Sequence, residues 1–150
     1  MLGTLVGGAL ALVGTVVGIV VSQVLQRKGA RDAQILDAKV RVFGECTEAL
    51  YEYERANFGR ARARLRRQPE ADREALRQEV YRSESRARSA IGQATYLSGN
   101  TGLDDRFESV HSAVHGLSEA DDYEELSRRH QEIQKALKDV LRTVRIELRK

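Results

Sequence analysis

Two groups of side chains in this sequence have the type and spacing to do chemistry. The first is Asp104, Glu108, His111 and His115, which step along the chain by 4, 3 and 4 residues. On a helix that spacing puts two imidazoles and two carboxylates on one stripe, the arrangement that metal ligands use. No cysteine joins them, the order is not HExxH, and two histidines rarely hold zinc without further ligands. A polar stripe beside an apolar seam has the same pattern, so the expected reading is no metal and no cofactor.

The second group lies in RANFGRARARLRRQ, residues 55–68: Arg55, Arg60, Arg62, Arg64, Arg66 and Arg67, with no acid among them. On a helix Arg60, Arg64 and Arg67 share one side and Arg55, Arg62 and Arg66 another, with Phe58, Ala61 and Leu65 as the buried edge between them. Guanidinium forks suit phosphate or carboxylate recognition. A solvated helix end has the same composition, because cations complement the negative end of the helix dipole and pair with acids of neighbouring helices. Nucleic-acid binding would draw on these arginines, but there is no aromatic interleaving and no recognition motif. With 25 basic against 22 acidic residues, the net charge of +3 does not imply a polyanion partner by itself.

Other routes to catalysis are thin. His130 falls on an apolar helical seam, where a histidine is usually a packed residue with one nitrogen satisfied. No glycine-rich loop precedes a helix to cradle a phosphate, and no serine, histidine and acid come together as nucleophile and base. An enzyme is not expected. Cys46 is the one cysteine, so no intrachain disulfide forms, and a buried structural thiol is the expected role.

The elements that position these groups divide the chain in two. Every charge lies at or beyond Arg27. A helix of residues 2–25 would reach about 36 Å, against a hydrocarbon core of about 30 Å. A cleaved signal peptide would want a basic start and a shorter apolar run, and a surface-lying helix would want a charged face. The expectation is a transmembrane anchor over 1–26 and a basic juxtamembrane segment over 27–32, whose Arg27, Lys28 and Arg31 meet lipid headgroups. A cytoplasmic domain would occupy 33–150. The positive-inside bias puts the N-terminus outside a cell inner membrane crossed once. Gly3, Gly7, Ala11, Gly14, Gly18 and Ser22 would lie on one face of that span, and such a face favours helix association and a homo-oligomer.

Beyond residue 30 the apolar spacing is helical nearly throughout. A segment over about 31–67 has Ile35, Leu36, Val42, Phe43, Cys46, Ala49, Leu50 and Tyr53 on one face. Pro69 divides it from a segment over 69–97, and SGNTG at 98–102 divides that from a third, with Gly99 as a C-terminal cap and Thr101 and Asp104 as a capping arrangement. The third carries Leu103, Phe107, Val110, Val114 and Leu117. Gly116 closes it and Ser118 opens the last, which aligns Leu126, His130, Ile133, Leu137, Val140 and Val144. The expected fold is therefore all-α, an N-terminal transmembrane helix followed by an antiparallel bundle of about four helices.

An N-terminal glycine-rich span, then QRKGARDAQ, VFGECTEALYEYE and a closing LKDVLRTVRIELRK, together resemble a diffuse group of uncharacterised small bacterial single-span membrane proteins with a cytoplasmic helical domain. The resemblance rests on arrangement and implies inner-membrane placement without an activity. The expected role is a membrane-anchored helical scaffold or docking protein without catalysis. Two other roles fit: a membrane tether that binds nucleic acid or an acidic partner through the arginines of 55–67, and a membrane-perturbing effector that oligomerises through its glycine-rich span.

Overall fold

The computed structural model describes residues 29–150, and these form four α-helices joined by short connections. They are α1 (Ala30–Leu65), α2 (Glu70–Ser98), α3 (Thr101–His115) and α4 (Tyr123–Glu147), with a 3-10 turn at Gly116–Glu119 between the last two. α1 packs against each of the other three, α2 also against α3, and α3 against α4; α2 and α4 occupy opposite corners and do not touch. The chain thus runs up, down, up and down around one core.

The α1–α2 pair is built on small residues in a seven-residue repeat. Val42, Ala49, Ala56 and Ala63 on α1 are buried, as are Val80, Ala87 and Ala94 on α2. A sustained repeat of seven keeps one seam facing a partner helix, and alanines on that seam let the two backbones approach closely. Larger side chains fill the centre: Phe43, Leu50 and Tyr53 from α1, Leu103 and Phe107 from α3, and Leu126 and Leu137 from α4 are all essentially inaccessible. The phenyl rings of Phe43 and Phe107 lie 6.4 Å apart, tilted by 36°. Cys46 is fully buried beside them, and burial, with the nearby charge of Glu108, pushes its thiol up to about 12. It is an inert packing residue.

The helix ends follow local chemistry. α1 closes with Arg66 and Arg67, the latter in the left-handed region at φ 52°, while Gln68 N–H donates to Ala63 O at 3.1 Å. Gly99 closes α2 at φ 57°, where glycine carries no Cβ penalty. Asn100, and not Thr101, caps α3: its side-chain oxygen accepts from the N–H groups of Gly102 and Leu103. α4 starts later than the expected Ser118, which lies in the 3-10 turn. Asp122 is the cap, accepting from Glu125 N–H, and the Glu125 carboxylate accepts from Asp121 N–H at 2.9 Å.

The expected fold is corrected in one respect. The helical bundle stands, but no helix among the described residues is long and apolar enough to cross a membrane. The expected transmembrane anchor of 1–26, its face of Gly3, Gly7, Ala11, Gly14, Gly18 and Ser22, and the basic Arg27 and Lys28 lie outside the described residues. Among the described residues no helix can carry the expected single-pass placement in an inner membrane. Arg31 is exposed in the first turn of α1. Ile35, expected on the buried face, is 51% exposed, because α1 begins before its neighbours reach it.

The small-residue seam makes a direct prediction. Ala87 is fully buried, so Ala87→Leu adds volume that the α1–α2 pair has no room for. It should cost about 1–3 kcal/mol of unfolding free energy, measured as a lowered urea midpoint. Ser85→Ala, on the exposed side of α2, should shift stability by less than about 0.5 kcal/mol.

Candidate functional site

The candidate residues meet at two levels of the bundle. At mid-height α3 ends against α1. An α-helix leaves its last carbonyls without internal partners, and here they are buried between neighbours. Asn57 on α1 donates its Nδ2–H to Val114 O at 2.6 Å and to His115 O at 3.3 Å. Arg129 on α4 donates to Gly116 O at 2.5 Å, with its remaining donors on Glu125. Arg64 on α1 donates to Ala120 O. Arg64 is therefore a capping residue and not a free member of the arginine cluster.

Beside that helix end lies the stripe of Asp104, Glu108, His111 and His115, whose side chains the fold disperses. Asp104 accepts from the Ser98 hydroxyl at 2.7 Å, Glu108 faces outward, and His115 is largely exposed. His111 is buried and stacks on Tyr53 with ring centroids 5.2 Å apart. The Tyr53 hydroxyl is hydrogen-bonded to His115 Nδ1 at 3.2 Å. Glu84 of α2 approaches His111 and His115 only to 3.9 and 4.0 Å. No group of three histidine, cysteine or acidic side chains among the described residues is placed to hold a metal ion. Burial lowers the His111 pKa, helped by Arg88, and burial with Glu84 pushes the Tyr53 hydroxyl up to about 12.

Sequence periodicity missed Glu54. It is 4% exposed and points at α4, where its carboxylate accepts from His130 Nδ1 and from Gln134 Nε2, the latter at 3.2 Å. The His130 ring also packs on Phe58, centroids 4.6 Å apart. His130 is thus the packed residue with a satisfied nitrogen that its position on the seam implied. Burial raises the Glu54 pKa, and His130 works against that rise. The one available signal was a glutamate on the core side of an otherwise apolar helical face.

At the far end are the remaining arginines. Arg55, Arg62, Arg66 and Arg67 are exposed and Arg60 is half-buried. Among the described residues no carboxylate lies within ion-pair distance of any of the five; the acids at the start of α2 are held by their own helix, Glu70 by Arg73 and Arg77, and Glu74 by Arg77 at 2.9 Å. Lower on the same pair Arg86 reaches Glu52 and Glu48, bridging α2 to α1. The two sides expected of the cluster are present: Arg64 turns toward the 3-10 turn, while Arg55, Arg62 and Arg66 lie on the open face of α1.

Fold and site together define a small all-α bundle in which the buried polar groups secure helix ends and helix pairs. Residues 40–148 match the family described as KilB plasmid transfer protein, and the chain belongs to that family. No curated protein and no solved structure matches the chain. The family replaces the looser resemblance to small bacterial membrane proteins, and its match takes in no residue of the expected anchor.

The state of His111 gives a pH dependence. Its pKa is lowered on folding from an ordinary 6.5, so the folded state favours the neutral ring. The corresponding stability is present above about 6.5 and is lost as pH falls through the window below it. Urea midpoints of the parent should fall more steeply than those of His111→Phe between about pH 7 and pH 5. Parallel curves would show that His111 does not titrate differently on folding.

Proposed function

We propose that this chain is a non-catalytic docking protein of plasmid transfer, a rigid helical bundle that holds an acidic protein partner at its arginine-rich tip. The observation that carries this reading is Arg67. It is exposed, has no carboxylate within ion-pair distance among the described residues, and occupies the left-handed position that ends α1, where glycine would be cheaper. A non-glycine residue there costs about 1 kcal/mol. A charge kept at such a position, beside the unpaired Arg62 and Arg66, suits a partner that supplies carboxylates.

Nucleic acid is the second reading, because a plasmid transfer family works with DNA and guanidinium groups bind phosphate equally well. Binding to a labelled duplex distinguishes the two. Phosphate neutralisation by four or five arginines requires affinity to fall roughly 100- to 500-fold between about 50 and 200 mM salt. The protein-docking reading expects no such titratable complex.

Arg67→Gly separates tip function from folding. It should raise unfolding free energy by about 0.5–1 kcal/mol, and together with Arg62→Gln and Arg66→Gln it should lower plasmid transfer frequency at least tenfold. Unchanged transfer by this triple variant would overturn the proposal.

A further inference from the structure

The open face of α1 repeats itself when read backwards. Its exposed stripe is Asp37, Arg41, Gly44, Glu48, Tyr51 with Glu52, Arg55, Gly59, Arg62 and Arg66. About a midpoint between Tyr51 and Glu52, Gly44 mirrors Gly59, Glu48 mirrors Arg55, and Asp37 mirrors Arg66. We propose that a second copy of this chain docks here, with the two α1 helices antiparallel about a two-fold axis at that midpoint.

Two independent observations support a second copy as the occupant. The first is charge. In an antiparallel two-fold pair each residue meets the mirror position of the other helix, so Glu48, which Arg86 of its own chain approaches to 3.7 Å, meets Arg55 of the second copy and Asp37 meets its Arg66, each contact made twice. Arg41 opposite Arg62 is the one like-charged meeting, and Asp37 and Glu45, one turn to either side of Arg41, supply carboxylates to it. An acidic half and a basic half on one face are complementary to the same face inverted. They are not complementary to a phosphate backbone, which the acidic half would repel.

The second observation is the glycines. Gly44 and Gly59 lie inside α1, with helical neighbours on both sides, and neither has a positive φ. A Cβ at either would meet nothing within 4 Å. Each costs the helix stability relative to alanine, and neither the packing nor the backbone of the single chain requires it. Close approach of another helix backbone does require it, and in the proposed pair each glycine faces the other. The half-buried Tyr51 sits at the axis, where the two copies bring their rings together.

This inference deepens the docking reading by assigning a partner to α1's open face, while Arg67 stays free for the tip. Charge exchange across the axis tests it. By sedimentation velocity on the full chain at low salt, the parent should show a concentration-dependent dimer that weakens as salt is raised. Glu48→Arg should weaken dimerisation at least tenfold, as should Arg55→Glu, and the combined E48R/R55E chain should recover it, because each changed residue again meets an opposite charge on the second copy. Gly44→Leu with Gly59→Leu should abolish the dimer while leaving thermal stability the same or higher. A monomer at all concentrations, or a double charge exchange that fails to recover association, overturns the proposal. Arg62 and Arg66 serve both contacts, so the tip is read from Arg67→Gly alone: it should leave the dimer intact while lowering plasmid transfer, and unchanged transfer with a normal dimer overturns the tip reading and not this one.

Discussion

The bundle depends on how a short helix ends inside it. α3 has 15 residues against 36 in α1, and it stops beside Asn57, short of its neighbour's end. Its last carbonyls then face protein where water would normally donate to them, and unmet buried acceptors cost about 1–3 kcal/mol each. Asn57 from α1 and Arg129 from α4 meet them, and Arg64 does the same for Ala120 at the end of the 3-10 turn. These contacts also fix the path of the 3-10 turn, and with it the height at which α4 can begin. A single residue type would not serve: Asn57 sits deep and neutral, whereas the two arginines reach in from the side with stems packed on the bundle and charge near its surface.

A second constraint follows from the direction of the chain. Antiparallel α1 and α2 place the acidic lower half of α1 beside the basic middle of α2, and the Arg86 contacts to Glu48 and Glu52 result. The same register brings α1's arginine-rich end beside the acidic start of α2. There the pairing differs, because Arg73 and Arg77 are already on α2 at helix-neighbour spacing and hold Glu70 and Glu74. The arginines of α1 are left without counter-ions by competition inside the partner helix. Exposed pairs of this kind contribute little stability each, so what they decide is which charges remain available to another molecule.

Much of the bundle was legible in the sequence. The apolar residues of the α3 and α4 seams were read correctly, since Leu103, Phe107, Val110, Val114 and Leu117, then Leu126, Ile133, Leu137, Val140 and Val144, are all buried, while His130 of the same seam is half-buried. Periodicity works there because both helices are amphipathic against one core. It fails where the environment depends on a neighbour's length or position. Glu54 looks like a solvated residue of an acidic helix until α4 brings His130 and Gln134 against it. Arg64 looks like one more cation until Ala120 arrives beside it. Ser118 has the chemistry of a cap, yet Leu117 is buried and holds that stretch in a tight turn, so the cap moves to Asp122. The metal stripe failed for a related reason: spacing puts four side chains on one line, but burial turns His111 inward while Glu108 stays outside.

The extent of the family match has a physical counterpart in the packing. It begins at Val40, one turn after Leu36 first leans on the core and just before Val42 and Phe43 become buried. It ends at Leu148, the last buried residue among those described. The matched segment thus takes in every such buried residue and leaves out the first turns of α1. The core is shared by all four helices, because α1 packs on the other three while α2 and α4 each pack on α1 and α3.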